Sequence, residues 1–258
     1  MFRLANISLD KGKADRQERR AAMNRRTLLK TGAGVIAGLL KPIPAKPRER
    51  TMRVVFGFDG SDSMYTSYAS FVGGFSKLHA EIQSYGHITA IKSERVVQAL
   101  VARKAIVHCV KWASDYEWAK EFVPSVQITG RSDVDSLCAA IENNYLSVKA
   151  PARKSGTVHA SLLSFVKRNL TPADVSIIDV STDENVRQGN QTQCRWQRDQ
   201  LESDGWTINA IVVDDKDGNK KRSMEQDVIS RDGRVWDANN WGDYARALEE
   251  KMFSELVS

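Results

Sequence analysis

Asp59-Gly60-Ser61-Asp62-Ser63 sets three oxygen-bearing side chains, Asp59, Ser61 and Ser63, at alternating positions of one short stretch. On a tight loop these three converge on a single point. A carboxylate with two hydroxyls suits a hard cation such as Mg²⁺, which takes oxygen ligands in octahedral geometry and retains some of its waters. The same residue types also make an N-cap turn, because Asp and Ser accept hydrogen bonds from the free N–H groups that open a helix. Taken alone, the spacing leaves both readings open.

The surrounding chain must place that loop. From residue 51, strand-like and helix-like segments alternate, the pattern of an α/β sheet covered on both faces. The apolar run from Arg53 to Phe58 predicts a buried strand that ends at Asp59. Met64, Tyr68, Phe71, Val72, Phe75, Leu78 and Ile82 then recur at helical spacing and predict one long amphipathic helix behind the loop. A second helix over about 89–101 leads into a strand from Ala105 to Trp112, and Phe122 to Ile128 reads as an edge strand carrying Pro124. Ser132 and Asp135 fit a variant capping box ahead of a helix marked by Val134, Leu137, Cys138 and Ile141. After a loop at 147–156, Val158, Leu162, Phe165 and Val166 mark a helix. Residues 175–181 and 206–213 read as buried strands. A polar turn at 214–221 precedes a closing helix with Trp241, Tyr244, Leu248, Met252 and Leu256. In open α/β sheets, ligands bind beyond the carboxyl ends of the strands, where this reading puts Asp59.

Asp-x-Ser-x-Ser after the first strand resembles the opening motif of the metal-ion-dependent adhesion site of von Willebrand factor type A (vWA) domains. That family has a Thr in a loop before a mid-domain helix, and Gly156-Thr157 stands there; it has an Asp just after the fourth strand, and Asp183 follows Ile177-Ile-Asp-Val-Ser-Thr182. The chain resembles the family over about 51–256 and is similar to a bacterial group of exported vWA-like proteins. The strand ending in Trp112, Ile-Asp-Val-Ser before Asp183, and Val228-Ile with a final aromatic-bearing helix carry that likeness. The resemblance implies a three-layer α/β/α, Rossmann-like domain over 51–258 with a mostly parallel central sheet. It also implies a Mg²⁺ site, with Mn²⁺ or Ca²⁺ as alternatives. Ser61, Ser63 and Thr157 would ligate directly, and Asp59 and Asp183 directly or through water. The open coordination position would accept an acidic side chain from a protein partner. Three departures stand out: Glu184 replaces the Gly that usually follows the fourth-strand Asp, Asp62 adds a carboxylate to the loop, and His159 lies two residues after Thr157.

Other chemistries fit less well. A haloacid-dehalogenase-type phosphoryl transferase also opens with an Asp after its first strand, but wants a second Asp where Ser61 stands. A serine hydrolase wants G-x-S-x-G, which neither Ser61 nor Ser63 has. His159 is the candidate base for Ser61 or Thr157, against the plainer reading of a helix-surface histidine. The expected function is therefore metal-dependent protein binding without catalysis. The alternatives are a metal-dependent phosphoryl or ester hydrolase using Asp59 and Ser61, and a metal-free scaffold of the same fold. Asp214-Asp-Lys-Asp-Gly-Asn219 hints at a calcium loop, but with Gly218 in the sixth place the first and twelfth ligands would be Val213 and Met224, so it reads as a solvated turn. Trp118 and Trp196 lie in polar surroundings and are candidates for a partner surface.

The net charge of +6 invites a nucleic-acid reading until it is divided. Residues 1–50 hold 13 Lys/Arg against 4 Asp/Glu, and residues 51–258 hold 25 against 28. The basicity sits in the leader and not on the body, where a duplex-binding surface would need it; no nucleic-acid partner is expected. In that leader, Arg25-Arg26-Thr27-Leu28-Leu29-Lys30 resembles a twin-arginine export signal. The weakly apolar run from Ala33 to Leu40 is too short to span a bilayer, and Ala45 is a plausible last leader residue. Residues 23–45 thus read as a signal peptide, with 1–22 a polar tail or a start placed too early, since Met23 looks like a natural one. The expected location is periplasmic or secreted, against a cytoplasmic tail or an organelle transit peptide, with no transmembrane segment in the mature chain. Cys109, Cys138 and Cys194 are too scattered for a zinc site; they read as buried small hydrophobes, or as one disulfide with a thiol left over.

Overall fold

The computed structural model describes residues 50–70, 76–113, 118–148 and 158–258, with only the backbone of 68–70. The expected signal peptide, Gly156-Thr157, and Phe71, Val72 and Phe75 lie outside the described residues. A six-stranded sheet forms the middle layer. Its strands are β1 (Met52–Asp59), β4 (Ile106–Trp112), β5 (Ala119–Gln127), β6 (Val175–Thr182), β7 (Trp206–Val213) and β8 (Val235–Ala238), in the order β5-β4-β1-β6-β7-β8. Within this sheet only the β4–β5 pair is antiparallel. Pro124 lies on this edge strand, where the missing N–H costs no ladder bond.

Alternation along β1 builds the three layers. Val54, Phe56 and Phe58 enter one core with the helices α2 (His79–Lys92), α3 (Glu94–Ala102), α4 (Arg131–Asn144) and α8 (Tyr244–Val257). Val55 faces the other way, into a second core with α5 (His159–Asn169), α6 (Gln191–Ser203) and α7 (Asn219–Asp227). Because side chains of a strand alternate faces, a strand apolar on both sides is one covered on both sides. The expected three-layer α/β/α architecture with a mostly parallel sheet is what the chain forms. Cys109, Cys138 and Cys194 are free and buried. Among the described residues no helix is long and apolar enough to cross a membrane.

Several local expectations need correction. The long helix read from Met64 to Ile82 does not form. A short helix α1 (Asp62–Thr66) stops where Ser67 N–H bonds Ser63 O, and an antiparallel pair, β2 (Tyr68–Ser70) and β3 (Ser76–Leu78), precedes α2. Gly73 and Gly74 fall between those strands in sequence; each would cost a helix about 1 kcal/mol relative to Ala. The helix read at 89–101 is the end of α2 and all of α3, parted at Ser93, whose backbone is extended and whose carbonyl accepts Val97 N–H. At α4 the cap is Gly130 with Asp133, not Ser132 with Asp135: the Asp133 carboxylate accepts Gly130 N–H at 3.1 Å and Thr129 N–H at 2.8 Å. The polar turn after β7 runs straight into α7, where Asp215 accepts the N–H groups of Lys220 at 2.9 Å and Lys221 at 2.8 Å.

Candidate metal centre

The sheet order reverses between β1 and β6, since the chain builds outward to β4 and β5 on one side and to β7 and β8 on the other. Asp59 ends β1, while Thr182 ends β6 and Asp183 follows it, so both arms of the site stand at the switch point where open α/β sheets bind ligands. The Asp59–Ser63 loop folds back over β4. Gly60 N–H donates to Trp112 O at 2.6 Å, and a Cβ on Gly60 would lie 2.9 Å from the Lys111 side chain, so only glycine fits that turn.

Asp59 is fully buried and held at both oxygens. Oδ1 accepts Ser61 N–H at 2.9 Å, and Oδ2 accepts the Thr182 hydroxyl at 2.9 Å. Ser61 Oγ lies 3.0 Å from Ser63 Oγ, and Ser63 Oγ lies 3.5 Å from Asp183 Oδ1. Asp59, Ser61, Ser63 and Asp183 are thus brought together from two ends of the sheet; Thr157 lies outside the described residues. Asp62 is exposed on the first turn of α1, and Glu184 N–H donates to Thr182 Oγ1 at 3.2 Å.

The geometry suits a small cation. Two oxygens bound side by side on an octahedral ion at 2.0–2.1 Å sit about 2.9 Å apart, close to the 3.0 Å between the serine hydroxyls. The electrostatics agree. Burial, followed by the charges of Asp183 and Glu184, pushes the Asp59 carboxyl up to about 8, despite the hydrogen bonds from Ser61 that lower it. A divalent cation would relieve that cost, so the donor set fits the ion that the resemblance implies. Among the described residues no group of three or more His, Cys, Asp or Glu side chains is placed to hold a metal ion, so the candidate site depends on its serine hydroxyls as well as its carboxylates.

Three residues that sequence spacing did not reveal support the loop. Tyr145, buried at the end of α4, sets its hydroxyl 2.7 Å from Asp59 O and 2.8 Å from Gln83 Oε1, two acceptors that share its one proton. Lys111 is buried beneath the loop; its ammonium donates to Tyr145 O at 2.8 Å and Val148 O at 2.6 Å and faces the rings of Tyr145 and Tyr65. His79 reaches Asp183 with Nδ1 at 3.2 Å from Oδ2. His159 is not the surface residue expected. It is buried, its ring lies 4.8 Å from that of Trp112, and among the described residues neither of its nitrogens has a hydrogen-bond partner. Trp196 is 58% exposed on α6, whereas Trp112, Trp206 and Trp241 are core residues.

This sandwich, with its loop at the switch point, has the fold of a vWA-like protein. Solved structures of similar fold include proximal thread matrix protein 1 from the mussel byssus with a zinc-occupied adhesion-site (MIDAS) motif (13% identity, TM-score 0.54, 81% of this chain and 46% of that one). The pilus adhesin SpaC from Lactobacillus rhamnosus GG (11%, 0.54, 80% and 31%) and the minor pilin PilB from Streptococcus sanguinis (11%, 0.52, 86% and 63%) are others. In each comparison the chain spans less than two thirds of the other protein. The chain belongs to the family described as Protein of unknown function (DUF1194), whose profile matches residues 72–258 and so covers Thr157 and Asp183 but begins past Asp59, Ser61 and Ser63. No curated protein matches the chain by sequence.

Proposed function

We propose that this protein is an exported vWA-like protein that holds a partner protein through a Mg²⁺-type metal-ion-dependent adhesion site and does no chemistry on it. The observation that carries the reading is the convergence of Asp59, Ser61, Ser63 and Asp183 at the switch point, with the two serine hydroxyls at the spacing of neighbouring octahedral ligands. Thr157 would complete the set. The ion would offer its open position to an acidic side chain of the partner. The zinc-occupied motif in the mussel protein and the adhesin and pilin among the similar folds are in keeping with this.

Two features favour binding over catalysis. Burial pushes the His159 imidazole down to about 3, too weak a base for activating a hydroxyl near neutral pH. The histidine that does reach the site, His79, is engaged on Asp183 rather than on Ser61 or Ser63.

The test is thermal unfolding with and without Mg²⁺ or Mn²⁺. A ligand bound only by the folded state stabilises it by about 2.7 kcal/mol at a hundredfold excess over Kd, roughly 5–10 °C for a domain of this size. Asp59→Ala should show no such rise. A wild-type midpoint indifferent to saturating metal would leave the metal-free scaffold as the better reading. Pull-downs with metal and with chelator then identify the partner. For export, the N-terminus of the mature protein should fall just after Ala45, and replacing Arg25 and Arg26 by Lys should accumulate precursor.

A further inference from the structure

His79 joins the two halves of the metal centre. Its backbone N–H donates to Ser67 O at 3.1 Å, just past the short helix that follows Ser61 and Ser63, and Glu81 Oε2 secures the same helix start by accepting Leu78 N–H at 2.9 Å. The ring packs against Trp241, with centroids 4.6 Å apart, and Trp241 packs in turn on Tyr244 at 5.4 Å. From that seat Nδ1 reaches Asp183 Oδ2 at 3.2 Å. An ionised carboxylate only accepts hydrogen bonds, so Nδ1 carries the proton in this contact. With Oδ2 taken, Asp183 turns Oδ1 toward Ser63 Oγ.

We propose that His79 is a positioning residue of the metal centre, whose Nδ1–H makes Asp183 a one-oxygen ligand and so favours a small octahedral ion over Ca²⁺. The inference rests on the adhesion-site reading. Mg²⁺ takes six ligands in strict geometry, whereas Ca²⁺ takes six to eight and often gathers them by gripping a carboxylate through both oxygens. Here Asp183 has one oxygen turned away by His79, and both oxygens of Asp59 are held by Ser61 and Thr182. Freed from His79, Asp183 can rotate; it then presents Oδ1 to a small ion less often, and both oxygens to a large one more often.

The experiment is calorimetric titration of the full chain with MgCl₂, MnCl₂ and CaCl₂, for the wild type and for His79→Phe, His79→Asn and His79→Ala. Phe keeps the packing on Trp241 but has no donor, while the Asn amide nitrogen stands where Nδ1 does. Loss of a group that orients a metal ligand typically costs about 10–100-fold in affinity. That loss is expected for Mg²⁺ and Mn²⁺ in His79→Phe and His79→Ala, with a smaller loss for Ca²⁺ and with recovery in His79→Asn. Metal-free melting of each variant reports any folding defect, and the Asn–Ala comparison stands even where Phe destabilises the chain. Wild-type binding matched by His79→Phe and His79→Ala would overturn this inference alone, and equal losses for Mg²⁺ and Ca²⁺ would overturn its one-oxygen account. A wild type that binds none of the three ions would overturn the adhesion-site reading as well.

Discussion

At the scale of single residues, the candidate metal centre is a small group of oxygens kept in place by polar side chains behind them. Tyr145 illustrates this: its hydroxyl meets the backbone of Asp59 and the amide of Gln83 in a fully buried position. Tyr145→Phe keeps the ring and leaves those groups short of a partner, which costs about 1–3 kcal/mol. Urea unfolding of the metal-free protein should show a lower midpoint with an unchanged slope, and a change in slope would mean the fold itself had loosened. The oxygens were legible in the sequence because a D-x-S-x-S loop is local and Asp183 closes a recognisable strand. Tyr145, His79 and Thr182 were not. Their roles come from contacts across 86, 104 and 123 residues, and no spacing records which Tyr or His will arrive there.

Elements were legible where one face is apolar at a clear period. β1, β6 and β7 announce themselves as short, mainly apolar runs, and α8 through Tyr244, Leu248, Met252 and Leu256. By contrast, α6 buries only Cys194, Gln197 and Leu201, and α7 only Met224 and Asp227, so neither shows a stripe. Apolar spacing also misled at 64–82, where a periodic series runs through two separate helices and an antiparallel strand pair. One element carries a charge pattern that no periodicity exposes. On α8, buried Lys251 meets Asp179 of β6 and Glu255 of its own helix, each at 2.6 Å, with Asn209 of β7 bonding Glu255. Two carboxylates share one ammonium. Burial, partly offset by Lys251 and reinforced by Asp179, pushes the Glu255 carboxyl up to about 8. The folded state then keeps a proton that the unfolded chain releases near its ordinary value, 4.5, so stability should fall as pH rises between those values. Glu255→Gln leaves a Lys251–Asp179 pair and should lessen that fall, the remainder belonging to groups raised in the same direction such as Asp59. Urea midpoints at about pH 5, 6.5 and 8 measure it; an unchanged slope in Glu255→Gln would place the titration on other groups.

At the scale of the whole molecule, the alternation of strands and helices and the acidic balance of residues 51–258 pointed to one covered sheet, and the sheet is there. Pro124 marked β5 as an edge strand, but which edge it takes was not legible, nor was β8, because strand order is set by crossovers rather than by any strand's composition. That order has a kinetic side. Ser63 and Asp183 stand 120 residues apart, and Asp59 and Thr182 stand 123 apart. The proposed cation seat would therefore exist only after β1 and β6 have paired, a long-range step that comes slowly in a chain of this topology. An ion that meets its ligands after the rate-limiting barrier acts on escape from the native state and not on arrival there. Stopped-flow measurements should then show Mg²⁺ slowing unfolding while the refolding rate stays as it was. Faster refolding in metal would mean that the two strand ends meet early. On the adhesion-site reading, the lifetime of such a protein in the cell would follow the divalent cation around it, long where the ion is plentiful and short where it is scarce.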